Sequence, residues 1–283
     1  MRVGTQGFVG HTRPMNIETA AHGRFQEVSW TPVTGSTNAD LVRHAQHCPT
    51  VAAVLFADEQ TAGRGRRDRR WEMAPGGGLL VSFFVPWVPV ADAHVVPTAL
   101  GVAAVEAIAE TSREVALKWP NDLVTMDGRK LGGMLSEAVW VEGKFVGVVA
   151  GLGCNVSWPD AEAREYLPDA ANLDELGSGQ VDRTALAAGL IGAFDNELET
   201  VVSLGVDHSH VRYRERCATL GTTVRIDQGD NVVVGVATDV STDGALIVIV
   251  DGVQRRIDVG DVVHLRGQRQ SGPDLQGRDR LAD

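Results

Sequence analysis

Two short turn signals constrain the fold of this chain more than any other feature of its sequence. Asp127-Gly128 and Glu142-Gly143 separate three largely apolar stretches, at residues 123–126, 130–141 and 144–156. Pairs of this kind adopt the backbone conformation that joins neighbouring antiparallel strands in a hairpin. The sequence therefore predicts a three-stranded meander in the middle of the chain.

Glycines are concentrated on two strands of this meander. Because side chains alternate between faces along a strand, Gly151, Gly153 and Asn155 are expected to share one face of the third strand. On the second strand, Lys130 is expected to share a face with the first glycine of the pair Gly132-Gly133, with the second beside them. Glycine weakens a strand, so several on adjacent strands need a reason. Either a flat ligand lies on the sheet, or a closely packed helix or a run of bulges requires them.

The rest of the chain up to about residue 205 mixes helix and strand signals. Helices are predicted from residues 36–38 onward with a hydroxyl cap, across 99–108, and from an Asp182 cap to residue 201, and strands at 51–57, 79–85 and 117–119.

The C-terminal part has an all-β pattern. Turn signals at Asp243-Gly244 and Asp251-Gly252 punctuate short alternating segments, which predicts a small SH3-like barrel. The predicted strands are residues 222–226, 231–239, 245–250, 255–259 and 262–265.

These patterns divide the chain into four parts. We expect a disordered leader at residues 1–24, a central mixed part at 25–216, the SH3-like domain at 217–266 and a flexible tail at 267–283. No apolar run reaches the length of a membrane span and no secretory signal is present, so no membrane partner and a cytoplasmic location are expected. The three cysteines lack metal-ligand spacing.

A strongly basic segment, the arginine loop at residues 63–71, contrasts with the rest of the chain. It holds five arginines and one aspartate, a local charge of +4 in a chain with a net charge of −11. Guanidinium groups bind phosphate and carboxylate bidentately, and glycines let the backbone approach a ligand closely. The segment predicts a loop that closes over an anionic small molecule. A solvated basic face or a nucleic-acid patch is the alternative.

Two further groups lie near the predicted glycine surface. Lys130 follows a tight turn at the mouth of that surface, where it is either a solvent-facing lysine or a cation for the ligand. Residues 118–122, Lys-Trp-Pro-Asn-Asp, are either a strand followed by an Asx-type turn or a ligand-binding segment. In the second interpretation, Asn121 or Asp122 contacts the ligand or its Mg²⁺.

These motifs together resemble those of the biotin protein ligases. The resemblance is to the bacterial biotin–[acetyl-CoA-carboxylase] ligases and runs from about residue 33 to residue 266. It implies an α+β fold, with a mixed, largely antiparallel sheet flanked by helices and a C-terminal SH3-like barrel. The motifs, in order, are Gly-Ser-Thr-Asn at 35–38, the arginine loop, residues 118–122, Arg-Lys-Leu-Gly-Gly at 129–133 and Gly-Leu-Gly-Cys-Asn at 151–155.

The resemblance implies a two-step, ATP-dependent reaction in the central domain. Biotin's carboxylate attacks the α-phosphorus of ATP and expels pyrophosphate, which gives biotinyl-5′-adenylate. A lysine on the biotin carboxyl carrier domain of an acyl-CoA carboxylase then attacks the mixed anhydride and releases AMP. Two anions must meet in the first step, so the site has to cancel charge.

The resemblance also assigns roles to individual residues. It implies that Lys130, Arg64 and Arg66 are catalytic, and that Mg²⁺ is bridged by the phosphates, with Asp122 and Asn155 as partners. The implied biotin site comprises Ser36, Thr37, Asn38, Gln60, Gly63, Arg64, Gly65, Arg66, Lys130, Gly133, Gly151 and Gly153. The implied ATP and adenylate site comprises Arg64, Arg66, Arg67, Arg69, Trp71, Asn121, Asp122, Lys130 and Asn155.

The chain departs from the regulatory branch of this family, which carries an N-terminal winged helix that binds DNA. Only about two dozen residues precede the central part, so we expect no repressor function and no nucleic-acid partner. A monomer or weak dimer is expected. Two alternatives stay open: a lipoate–protein ligase with the same adenylation chemistry, and a nucleic-acid-binding module that uses residues 63–70.

Overall fold

The structure, a computed structural model, describes residues 23–158, 169–177, 179–229, 231–258 and 260–265. The predicted tail and nearly all of the predicted leader lie outside these residues. Among the described residues, no helix is both long and apolar enough to span a membrane. The helices are α1 Thr37–His47, α2 Val95–Ala109, α3 Arg183–Leu204 and α4 Val206–Glu215.

Seven strands form the larger sheet. They are β1 Glu27–Thr34, β2 Ala53–Gln60, β3 Gly78–Val85, β4 Val115–Lys118, β5 Asp122–Thr125, β6 Lys130–Val141 and β7 Lys144–Asn155. Their order is β1-β2-β3-β7-β6-β5-β4, with β1 and β2 parallel and the other neighbours antiparallel. The predicted meander is confirmed as β5, β6 and β7, and the sheet is mixed and largely antiparallel, as expected.

Helices cover both faces of this sheet, which explains why every residue of β3 is buried. On one face Phe83 contacts Phe194 of α3, with ring centroids 4.8 Å apart. On the other face Phe84 packs with Leu41 of α1 in a smaller apolar cluster. The sheet is therefore the centre of a three-layer structure, and α1 lies on the face opposite α2 and α3.

Two predicted elements differ from the structure in a boundary or a cap, and a third has its predicted cap. β2 continues to Gln60 because its last residues pair in parallel with the end of β1. Asp182 caps α3 as predicted, accepting hydrogen bonds from the Thr184 and Ala185 amides. The predicted hydroxyl cap of α1 is wrong: Ser36 occupies the N-cap position without a side-chain hydrogen bond, and Gln60 Oε1 accepts from the Thr37 amide at 2.8 Å instead.

The C-terminal part forms a five-stranded antiparallel sheet. Its strands are β8 Thr223–Asp227, β9 Val232–Val240, β10 Leu246–Val250, β11 Val253–Ile257 and β12 Asp261–His264, in the order β11-β10-β9-β8-β12. β11 begins two residues earlier than predicted because Asp251 and Gly252, both at positive φ, form a two-residue hairpin turn. Trp119 joins the two sheets, since its Nε1 donates to the Gly244 carbonyl at 2.8 Å.

Candidate active site

A cavity of about 130 Å³ lies where α1, the arginine loop and the glycine-rich ends of β6 and β7 meet. The structure brings most of the predicted site residues together around it. Those lining it are Ser36, Thr37, Asn38, Gln60, Arg64, Gly65, Arg66, Arg69, Trp71, Asn121, Asp122, Lys130, Gly133, Gly151 and Gly153.

The floor of the cavity is a flat patch of paired glycines. Gly133 on β6 lies opposite Gly153 on β7. The indole of Trp71 lies on this patch: a Cβ added to Gly153 would come within 2.5 Å of its ring atoms. Gly151 has a different reason, because a Cβ there would come within 2.0 Å of Asn38 Oδ1 on α1. Close packing thus accounts for Gly151, whereas Gly153 accommodates a planar ring.

The prediction that Lys130 shares a face with Gly132 is wrong, because a β-bulge lies between them. Leu123 pairs with Gly132 and Val124 with Lys130, so Leu131 is an extra residue on β6. A bulge offsets the alternation of side chains. Consequently Lys130 Nζ lies on the side of Gly133, 3.6 Å from a Cβ built there, while Gly132 faces the opposite side.

The ammonium of Lys130 is the central cation of the cavity. Its Nζ lies 2.7 Å from Asp122 Oδ1 and 5.8 Å from the centroid of the Trp71 ring. A second lysine, Lys118, lies close enough to interact with it. Burial lowers the pKa of Lys118, and the charge of Lys130 lowers it further, while the carboxylate of Asp122 partly offsets both effects. Asp122 therefore balances two neighbouring cations.

The arginine loop is a tight hairpin with a strained tip. Arg67 and Asp68 have φ of 55° and 59°, and the Arg69 amide donates to the Arg66 carbonyl at 3.2 Å. Left-handed backbone costs an L-residue about 1–2 kcal/mol. Since strain of this kind is often found at ligand-binding positions, the tip is consistent with a functional loop.

Three side chains of the surrounding protein hold the loop's arginines. Arg64 pairs with Glu137 of β6 at 2.6 Å, and Arg66 donates to Asn121 Oδ1 at 3.2 Å. Asp261, the first residue of β12, pairs with both Arg67 and Arg69. Burial lowers the pKa of Arg66, and the charge of Asp261 opposes that shift. The loop therefore contacts both sheets.

A buried polar network supports the wall formed by α1. Ser82 Oγ lies 2.8 Å from Thr37 Oγ1 and 2.6 Å from Asn38 Oδ1. Asn38 Nδ2 donates to the Leu135 carbonyl and to Glu137 Oε2. The amide of Asn38 thus fastens α1 to β6 and β3, and Glu137 links this network to Arg64.

Three predicted residues do not line this cavity. Gly63 and Arg67 line a second cavity of about 810 Å³ on the other side of the loop, which is also bordered by Trp119, Tyr213 and Gly244. Asn155 is buried and donates to the Ala171 carbonyl at 3.0 Å. The arginine loop is therefore a partition between two cavities.

Sequence reasoning missed six residues of the smaller cavity, namely Arg70, Val81, Met134, Leu135, Leu152 and Asp261. Arg70 belongs to the arginine loop, and the four apolar residues lie on strands that were predicted. No local signal marks Asp261, because it reaches the cavity from the other sheet.

Profiles of two protein families match this chain. The Biotin/lipoate A/B protein ligase family matches residues 30–155, and the Biotin protein ligase C terminal domain matches residues 219–265. The fold and these matches define a protein ligase of the biotin and lipoate class.

Relatives with names narrow this class. The chain is 37% identical over 249 residues to a biotin–[acetyl-CoA-carboxylase] ligase of Mycobacterium tuberculosis, over 82% of this chain and 87% of that protein. It is 31% identical to the bifunctional ligase/repressor BirA of Escherichia coli, over 80% of this chain and 70% of that protein. The biotin protein ligase from Aquifex aeolicus, solved in complex with biotin and ATP, superposes with a TM-score of 0.70 at 25% identity, covering 86% of this chain and 100% of that one. The chain belongs to the biotin protein ligase family.

Proposed function

We propose that this enzyme uses ATP to activate biotin as biotinyl-5′-adenylate and then transfers the biotinyl group to a carboxylase. In the first step a biotin carboxylate oxygen bonds to the α-phosphorus, and the bond from that phosphorus to pyrophosphate breaks. In the second, the amine of a lysine on a biotin carboxyl carrier domain attacks the carbonyl carbon. The carbon–oxygen bond to AMP breaks, and the amine loses a proton to solvent.

The observation that carries this proposal is the position of Lys130 between a flat glycine patch and an arginine loop. The patch offers room for the fused rings of biotin, and the cations offer charge for its carboxylate and for the nucleotide phosphates. Among the described residues the ion-pair partner of Lys130 is Asp122, and exchange of that carboxylate for the α-phosphate would let the ammonium stabilise charge as it develops there. Arg64 and Arg66 are proposed to bind the carboxylate and phosphates beside it.

Ligand entry requires the arginine loop to rearrange. The cavity of about 130 Å³ is smaller than the roughly 300–1,000 Å³ typical of ligand pockets, because Trp71 occupies the glycine patch. Arg64 and Arg67 are meanwhile held by the carboxylates of Glu137 and Asp261. We propose that the ligand's anions replace these carboxylates and that Trp71 leaves the patch to cover the adenylate, which keeps water from the anhydride.

Mg²⁺ is proposed to be held mainly by the nucleotide phosphates. Within the described residues no group of three His, Cys, Asp or Glu side chains could hold a metal ion. Asp122 supplies a hard carboxylate oxygen at the cavity and fits the ion's ligand preference. Asn155 lies outside the cavity, where its side-chain amide donates to the Ala171 carbonyl.

The two rival functions have separate tests. One observation argues against a nucleic-acid-binding module: Arg64, Arg66 and Arg67 are bound by side chains of this protein and do not form a free basic patch. Pyrophosphate release from biotin and ATP without any nucleic acid would eliminate that module. A lipoate ligase is tested by thermal shift: biotin should raise the melting temperature, and stabilisation by lipoate alone would reverse the assignment.

The decisive experiment is incorporation of labelled biotin into an isolated carrier domain. Wild-type enzyme should label the domain in the presence of ATP and Mg²⁺, and Lys130→Ala should lower the rate about 10²–10³-fold, the usual cost of removing one charge-stabilising donor. Lys144→Ala, an exposed lysine at the far end of the same strand pair, is the matched control and should retain full activity. Equal rates for all three proteins would refute the proposed site.

A further inference from the structure

The main chain of Lys130 is held by a segment outside the sheet. Residues 169–175 lie between the start of β6 and the end of β7. The Lys130 amide donates to the Asp169 carbonyl at 2.7 Å, and the Ala171 amide donates to the Lys130 carbonyl at 2.8 Å. On the other side, the Leu173 amide donates to the Asn155 carbonyl at 3.1 Å. The segment thus separates the start of β6 from the end of β7 and fixes the position of Lys130, the first residue of β6.

The side chain of Glu175 ties this segment to its surroundings. Its Oε1 accepts hydrogen bonds from Trp158 Nε1 at 2.6 Å and from Asn172 Nδ2 at 3.2 Å. Its Oε2 pairs with Arg129 Nη1 at 2.9 Å, and its own amide donates to Asn172 Oδ1. Only 19% of the side chain is exposed. These contacts connect the end of β7, the segment and the start of β6 through one carboxylate.

Arg129 and Lys130 are adjacent cations with different partners. Arg129 pairs with Glu175, whereas Lys130 pairs with Asp122 in the cavity. We propose that Glu175 is a positioning residue for the ligase reaction: it anchors Arg129, the residue before Lys130, and fixes the segment that holds the main chain of Lys130. This inference rests on the proposed role of Lys130.

Asp127 provides a natural comparison because it is the second carboxylate paired with Arg129. Its Oδ2 lies 3.0 Å from Arg129 Nε, but 61% of its side chain is exposed, and it belongs to the same β5–β6 turn as Arg129. It makes no described contact with residues 169–175. Loss of the Asp127 carboxylate therefore removes one ion-pair partner of Arg129 and leaves residues 169–175 in place.

The test is a mutant cycle scored by pyrophosphate release from biotin and ATP. Glu175→Gln should lower kcat at least about 10-fold, since misplacing a reacting group by about 1 Å costs up to 10²-fold. KM for biotin should stay within about twofold, because the glycine patch is untouched. Arg129→Gln breaks the same ion pair from its other end and should give the same loss, whereas Asp127→Asn should retain wild-type kcat.

The Lys130→Ala background separates positioning from general structural damage. If Glu175 acts through Lys130, Glu175→Gln should cause no further loss in that background, because effects through one residue are not additive. An equal loss in both backgrounds, or wild-type kcat for Glu175→Gln and Arg129→Gln, overturns the inference. Wild-type activity of Lys130→Ala alone would refute the proposed role of Lys130 instead. Should Glu175→Gln fail to fold, Arg129→Gln carries the same cycle.

Discussion

The carboxylate of Asp261, at the start of β12, lies 3.3 Å from Nη1 of Arg67 at the tip of the arginine loop, and it also pairs with Arg69. The C-terminal sheet thus supplies a counter-ion to a loop of the other sheet. Two-thirds of the Asp261 side chain is buried, but both arginines are more exposed, so the two pairs together are worth about 1 kcal/mol.

We expect Asp261→Asn to favour the ligand-bound form. The pairs with Arg67 and Arg69 stabilise the free enzyme and have to break when phosphates arrive, so their loss should lower KM for ATP about 2–5-fold. Steady-state kinetics at fixed biotin measures this. Asp251→Asn, in a hairpin turn of the same sheet, changes the net charge equally and should leave KM unchanged. A raised KM for Asp261→Asn would mean that the carboxylate helps to form the bound loop.

The arginine loop should exchange backbone hydrogens more slowly when biotin and ATP are bound. Three main-chain hydrogen bonds close the loop on itself, from the amides of Gly65, Arg69 and Trp71. Ligands at about 100 times their Kd stabilise a bound conformation by roughly 2.7 kcal/mol, so exchange at residues 63–71 should slow at least tenfold. Residues of β9 serve as the internal control. Unchanged exchange in the loop would contradict the proposed closure.

Local sequence signals predicted the parts of the fold that depend on neighbouring residues. The Asp127-Gly128 and Glu142-Gly143 turns gave the meander, and Asp182 gave the start of α3, because turn and cap chemistry act over a few residues. The charge of the arginine loop predicted a segment that binds an anionic small molecule, but by itself it left a solvated basic face or a nucleic-acid patch open. That the arginine loop lies beside the glycine patch followed from the resemblance to a family and not from spacing along the chain.

The errors arose where distant residues decide the geometry. An extra residue at Leu131 reversed the faces expected for Gly132 and Gly133, and a bulge leaves no reliable mark in a single sequence. Gln60 accepts from the first amide of α1 because β2 ends beside that helix, and the hydroxyl of Ser36 caps no amide. Asp261 acts across two sheets, so the spacing of residues along the chain carries no information about it.

Gly153→Ala should impair biotin binding selectively. The added carbon would come within 2.5 Å of the Trp71 ring, so the ring would have to leave the patch in the free enzyme as well, and the methyl would remain beneath the biotin proposed to lie there. Overpacking of this size costs about 1–3 kcal/mol, so KM for biotin should rise about tenfold or more while KM for ATP changes little. Gly192→Ala on α3, where no atom lies within 4 Å of the added carbon, is the control. An unchanged KM for biotin would place biotin elsewhere.

A buried histidine pair should make stability depend on pH. His210 of α4 is 1% exposed, neither of its ring nitrogens has a hydrogen-bond partner among the described residues, and its ring stacks on His94 with centroids 5.5 Å apart. Burial lowers the pKa of His210 to about 4, helped by His94 and Arg214 and opposed by the carboxylates Asp207 and Asp243. The folded protein therefore keeps this ring neutral at pH values where an unfolded chain would protonate it.

The sign of the effect follows from proton uptake. Between about pH 6.5, the ordinary pKa of histidine, and pH 4, the unfolded state binds the proton and the folded state does not, so the free energy of unfolding falls as pH falls. A difference of about 2.5 pKa units corresponds to roughly 3 kcal/mol in the free energy of unfolding. This contribution is constant above the window and is lost as the pH falls through it. Urea unfolding at pH 7.5, 5.5 and 4.5 should show a shallower decline for His210→Leu than for wild type. His208→Leu, an exposed neighbour, should follow the wild type; identical slopes for all three proteins would show that the pKa of His210 is the same in the folded and unfolded states.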